Sequence, residues 1–168
     1  EALDLGRCIK RAVETTSPRW KEETRARGAP IQVETDLDHV PRVRANEAEI
    51  DELITNLIFN AVDAMPEGGI LRFAARQGEE GKVILEVSDT GVGMSEEVQK
   101  QCFTPFFTTK GAEGSGLGLS TVKGILDRHD GSISVESEEG RGTTFRITLP
   151  AAGEIAVLKA APFNRGVP

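Results

Sequence analysis

Asp89-Thr90-Gly91-Val92-Gly93-Met94 and, further along, Gly114-Ser115-Gly116-Leu117-Gly118-Leu119-Ser120 bracket the stretch that decides the fold. Between these two glycine clusters runs Phe103-Thr104-Pro105-Phe106-Phe107-Thr108-Thr109-Lys110. Glycine lets backbone approach a ligand closely, and aromatic side chains anchor a moving segment. The two turns and their connection therefore read as a nucleotide pocket with a lid, Met94 to Ser115, expected to be disordered without ligand.

The chemistry of the neighbouring residues fits that reading. Asp89 closes an apolar strand, where its carboxylate can accept a hydrogen bond from an exocyclic amine such as adenine's. Gly91 and Gly93 place no side chains in the way of the base. Upstream, Asn56, Asn60 and Asp63 recur at i, i+4 and i+7, so they share one face of a helix. Asn56 and Asn60 offer neutral oxygens suited to a hard cation that bridges phosphates, and magnesium needs only one or two protein oxygens. Gly114, Gly116 and Gly118 stand before a helix starting near Leu117, whose N–H groups and dipole would cradle phosphate oxygens, with Ser115 and Leu119 in the same turn. Lys110 could add a point charge at the outer phosphate. Thr143 and Thr144 offer hydroxyls at the back wall.

The remaining elements follow from periodicity. Leu5, Cys8, Ile9, Ala12 and Val13 recur at helical spacing, and Ser17-Pro18 should kink or restart that helix before it ends near Gly28. Ile31 to Leu37 alternates like a strand. Asn46 and Glu49 pattern as a capping box opening the Asn56 helix, whose apolar stripe is Ile50, Leu53, Ile54, Leu57, Ile58 and Ala61. Strands are expected at Ile70 to Ala75, Val83 to Ser88, Ile133 to Ser137 and Thr144 to Leu149, and a helix carries Leu117, Leu119, Val122, Ile125 and Leu126. The order predicts an α+β two-layer sandwich, with a mixed, mostly antiparallel sheet and helices on one face. Residues 1–150 form the domain, and 151–168, rich in Ala with Pro162 and Pro168, read as a tail or linker.

Composition narrows the function. The chain has 168 residues, 38% hydrophobic and 28% charged, as expected for one globular domain. A formal charge of −7 and a pI near 5.0 argue against nucleic acid as the main partner. Cys8 and Cys102 suggest free thiols in a reducing, cytoplasmic setting. No apolar run is long enough to cross a bilayer, although a longer parent protein could be membrane-anchored.

Taken together, these motifs resemble the catalytic, ATP-binding domain of bacterial sensor histidine kinases, within the superfamily that includes gyrase, heat-shock chaperone and mismatch-repair ATPases. Asn56-Leu57-Ile58-Phe59-Asn60-Ala61 is similar to the N box, and Asp89 to Gly93 to the first glycine box. Phe103 to Phe107 resembles the F box, Gly114 to Leu119 the second glycine box, and Gly142-Thr143-Thr144-Phe145 the final threonine motif. The lid is most similar to the nitrogen-regulation type. The resemblance spans roughly Leu5 to Pro150. It implies Asn60 as the magnesium ligand and Asp89 as the carboxylate that specifies adenine. Gyrase-like ATPases carry a water-activating Glu four residues before the magnesium Asn. Here that position is Asn56, which cannot serve as a general base, so transfer to a protein side chain is favoured over hydrolysis. Asp63 departs from the basic residue many sensor kinases carry, leaving phosphate neutralisation to Lys110 and magnesium.

The resemblance also implies partners. A phosphoacceptor His on a dimerisation domain is required, and neither His39 nor His129 suits the role, so the acceptor should precede Glu1. The fragment is expected to be a monomer with little turnover alone, and its parent a homodimer that passes phosphate to a response regulator. Alternatives are a non-catalytic nucleotide-binding module, a gyrase-like ATPase and, remotely, an aspartic protease suggested by Asp89-Thr90-Gly91. The protease reading leaves the Asn56 helix and the second glycine cluster unexplained.

Overall fold

The computed structural model describes residues 1–37, 39–108 and 118–153. In chain order its elements are β1 (Ala2–Leu3), α1 (Leu5–Ala26), β2 (Ile31–Asp36), β3 (Val43–Arg44), α2 (Glu47–Ala64), β4 (Gly69–Gln77), β5 (Lys82–Asp89), α3 (Glu96–Gln101), α4 (Gly118–Arg128), β6 (Ser132–Glu138) and β7 (Gly142–Pro150).

The main sheet has five strands in the order β2-β4-β5-β7-β6. β2 pairs parallel with β4, and every other pairing in this sheet is antiparallel. A parallel pair needs a crossover connection, which α2 supplies, whereas β4 and β5 are joined by a short turn at Gly78 to Gly81. The small β1–β3 pair was not foreseen; two-residue strands carry no periodicity to read.

Strict alternation divides the main sheet into two faces. Leu71 and Phe73 of β4, Val83, Leu85 and Val87 of β5, and Phe145, Ile147 and Leu149 of β7 are buried beneath the helices. The expected α2 stripe, Ile50 to Ala61, is buried throughout and is flanked by α1 and α4. Burial stabilises each such Leu or Ile by about 1.5–3 kcal/mol. The opposite face is polar. There Arg76 and Arg146 pair with Glu86, and the Arg76 hydrogen bond, helped by Arg146, holds that carboxyl below its ordinary range against the opposing effect of burial.

Two local expectations need correction. Of the two readings of Ser17-Pro18, the restart is excluded, since α1 runs unbroken from Leu5 to Ala26. Pro18 has no N–H for the Glu14 carbonyl, but Ser17 Oγ donates to that carbonyl at 3.1 Å and takes up the orphaned acceptor. The capping box is only half made. Asn46 Oδ1 accepts the Glu49 N–H at 3.0 Å, but the Asn46 N–H donates to His129 Nε2 at 3.1 Å. Glu49 turns instead to Arg128, at 2.7 and 3.0 Å.

At the C-terminal end, pairing continues past Pro150, where the ordered pattern was expected to stop. Ala151 is fully buried and donates to the Gly81 carbonyl at 2.8 Å, and Ala152 donates to the Arg42 carbonyl at 2.7 Å.

Candidate functional site

Sequence dictates that α2 has two functional faces. Its apolar stripe enters the core, and Asn56, Asn60 and Asp63 on the adjoining face line a pocket of about 510 Å³, within the usual range for small-molecule sites. Gly118 and Leu119, at the start of α4, form the facing wall. Asn56 Nδ2 donates to the Glu52 carbonyl at 3.0 Å, which leaves its oxygen towards Gly118; a Cβ on Gly118 would stand 3.5 Å from it. Phe59, also on the wall, is braced from behind by the Arg19 guanidinium 4.6 Å from its ring centre.

The floor is built from β5 and β7. Asp89 faces Thr143 across the ladder, and both are almost fully buried. Burial pushes the Asp89 carboxyl above its ordinary range, and the backbone N–H groups of Gly91 and Thr143 work against that rise. The Gly91 N–H lies 2.9 Å from Asp89 Oδ1. Both partners are backbone donors. Thr143 reaches the pocket lining, whereas Asp89 and Gly91 lie beneath it.

Gly91 and Gly93 also answer to the fold. A Cβ on Gly91 would stand 2.2 Å from the Ala64 carbonyl oxygen, and one on Gly93 would stand 2.1 Å from that of Glu138. Protein backbone occupies the space where their side chains would stand, and Gly93 lines the pocket as well. Val92 locks the turn from both sides: its N–H donates to Ala64 O at 2.8 Å and its carbonyl accepts from Gly140 at 2.7 Å. The glycine turn is thus fastened to the end of α2 and to the β6–β7 turn.

Thr144 is also corrected. It follows Thr143 on a strand, so it points to the opposite face, where its Oγ1 meets Ser88 Oγ at 2.9 Å. It cannot share the back wall with Thr143. Lys110, Gly114, Ser115, Gly116 and Leu117 lie outside the described residues.

The described part of the expected lid, residues 94–108, is tied to the rest of the fold. Ser95 caps α3 by accepting the Val98 N–H at 3.3 Å. Gln99 Nε2 donates to the carbonyls of Met94 and Ser137, both at 3.0 Å. Ser137 Oγ accepts the Met94 N–H at 2.8 Å and touches Thr143 Oγ1 at 2.8 Å, joining the lid base to the floor. Phe103 packs edge-on against Phe145 with centroids 6.1 Å apart, while Phe106 remains 75% exposed with a φ of 67°. Cys102 reaches the lining, and burial pushes its thiol up to about 11, far from reactive thiolate.

Sequence reasoning missed Phe59, Val98, Cys102 and Glu139 as lining residues. Phe59 had a signal, three residues from Asn56 on the same helix. Glu139 had none, since contacts distant in sequence, such as Val92–Gly140 and Gly93–Glu138, bring its turn to the pocket. Among the described residues, the lining contains the carboxylates of Asp63 and Glu139 and no lysine or arginine.

A family profile described as "Histidine kinase-, DNA gyrase B-, and HSP90-like ATPase" matches residues 45–153. Sporulation kinase E of Bacillus subtilis is 38% identical over 121 residues, 71% of this chain and 16% of that protein. Sensor histidine kinase ZraS of Escherichia coli is 34% identical over 150 residues, 89% of this chain and 31% of that protein. The chain therefore spans less than a third of the curated relatives it resembles. Among solved structures, the catalytic domain of histidine kinase ThkA superposes with a TM-score of 0.74 at 31% identity, covering 92% of this chain and 97% of that one. Full-length ShkA in complex with AMPPNP gives 0.77 at 27% identity, covering 90% of this chain and 31% of that one.

Proposed function

The chain belongs to the histidine kinase-, DNA gyrase B- and HSP90-like ATPase family, and on that premise we propose that it is the ATP-donating half of a sensor histidine kinase. It binds Mg-ATP and presents the γ-phosphoryl group to a histidine on a dimerisation domain, from which a response regulator takes it. The observation that carries this reading is the face of α2: two asparagines and Asp63 open into one pocket opposite the start of α4, with Asp89 under the floor.

Each residue has a distinct task. Asp89 accepts the exocyclic amine of adenine, and Thr143 hydrogen-bonds beside it. Asn60, with Asn56 next to it, presents neutral oxygens for magnesium, a donor set suited to an ion held mainly by phosphates and water. A magnesium ion held there by Asn60 would supply charge neutralisation for the phosphates. Asp63 and Glu139 repel a polyphosphate, so countercharge must come from the ion and from Lys110. The N–H groups near Gly114 to Leu119 take further phosphate oxygens. Asn56 is an amide already donating to Glu52, so it has no basic site to activate water, and the phosphoryl group is reserved for a protein nucleophile. His129 is excluded as that nucleophile, because both ring nitrogens are engaged within the fold.

The test is to mix the chain and Mg-ATP with a dimerisation domain bearing the acceptor histidine. An acid-labile phosphoprotein is expected. ATP binding without any such product would leave only a nucleotide-binding module.

A further inference from the structure

α2 and α4 contribute the side walls of the pocket, and they meet at two well-separated places. One is the pocket itself, where Gly118 lies beside Asn56. The other is the far end, where the last turn of α4 closes over the first turn of α2. There His129 Nδ1 stands 2.7 Å from the Ile125 carbonyl, and Nε2 stands 3.1 Å from the Asn46 amide nitrogen. A carbonyl can only accept and an amide N–H can only donate, so the ring is neutral with its proton on Nδ1. The side chain is 9% exposed, and Glu49, held by Arg128, lies 3.5 Å from Nε2.

Ten residues separate Asn46 from Asn56, and eleven separate Gly118 from His129. At 1.5 Å per residue these are nearly equal lengths, about 15 and 16 Å. The contact at His129 therefore lies at a similar axial distance from the pocket along both helices. Val122, Ile125 and Leu126 are buried on α4, which packs on α2 with its continuous apolar stripe, and the Arg128–Glu49 pair joins the same two helix ends. A hydrogen bond to one particular N–H is directional and admits a single register.

The geometry points to His129 as a positioning residue for the phosphate half of the pocket: by accepting the Asn46 N–H it fixes α4 axially on α2, so that Asn56, Asn60 and the start of α4 address one ligand. This rests on the proposed ATP site. The floor at Asp89 and Thr143 belongs to β5 and β7 and should not depend on the clamp.

The experiment measures affinities for Mg-ATP and for adenosine, together with a thermal melt, on His129→Asn, His129→Gln and Asn60→Ala. Asn keeps a donor for Ile125 but is too short to reach Asn46, whereas Gln can place an acceptor where Nε2 stood. His129→Asn should lose roughly tenfold in Mg-ATP affinity with adenosine changed less than about twofold, and His129→Gln should recover to within about threefold of wild type. Equal loss of both ligands in His129→Asn, or an unchanged Mg-ATP affinity despite a lowered melting temperature, would overturn the inference and leave His129 a stabilising cap only. Asn60→Ala separates the two readings. If it leaves Mg-ATP binding intact, the site assignment itself fails; if it abolishes binding while His129→Asn has no effect, only the clamp fails.

Discussion

The floor and the wall of the pocket are built on opposite plans. At the floor, backbone meets backbone: Gly91 against Ala64, Gly93 against Glu138, and a buried carboxylate held by two main-chain N–H groups. At the wall, Asn56, Asn60 and Asp63 project from a helix whose other face does the packing. The floor therefore cannot be altered without altering the fold, while the wall can change its chemistry and leave the fold intact.

Gly91→Ala is the strongest attempt to break this contrast. Its methyl would lie 2.2 Å from a main-chain oxygen that no rotamer can move, so the variant should lose about 3 kcal/mol of stability together with ATP binding. Chemical denaturation and nucleotide titration measure both; a stable Gly91→Ala that still binds ATP would show that the floor has slack. Asn60→Ala tests the wall. Roughly 100-fold weaker Mg-ATP binding is expected, with the unfolding midpoint nearly unchanged, because the side chain takes no part in the core.

Asp89→Asn separates function from stability within the floor. Burial raises the Asp89 carboxyl pKa in the folded state, so as pH rises the unfolded chain loses this proton first. Asp89 therefore makes the fold less stable as pH climbs from the unfolded pKa through the folded one, and that deficit persists above it. The unliganded Asn variant should gain stability relative to wild type as pH rises upward from the ordinary carboxylate range, while ATP affinity falls about 10- to 30-fold. Urea melts across that range check the sign; a variant advantage that shrinks with pH would contradict it. The smallest effect belongs to Thr144→Val. Its hydroxyl meets Ser88 on the opposite face, so Mg-ATP affinity should stay within about twofold of wild type, at a stability cost of about 1 kcal/mol.

Much of this molecule was legible before the structure. The α2 stripe, the strand alternation and the glycine turns follow from periods of 3.6 and 2 that hydrophobic burial imposes locally, and the Asn56, Asn60 and Asp63 face came from the same arithmetic. The correct layer arrangement followed, since a helix with one apolar face and a strand with one apolar face leave few ways to bury both. Thr144 could also have been assigned correctly, because adjacent residues of a strand cannot line the same wall.

What required tertiary structure has one physical character: it is a contact between groups distant in sequence, made by atoms that every residue possesses. The Ala64 carbonyl behind Gly91 gives no side-chain signal, and neither does the Asn46 N–H that His129 accepts across 83 positions. Sequence determined that this chain makes a helix-covered sheet with two asparagines and an aspartate on one helical face. Only the folded backbone decided that the glycines make room for neighbouring backbone, and that a histidine at the far end of α4 stands where it can hold that face in register.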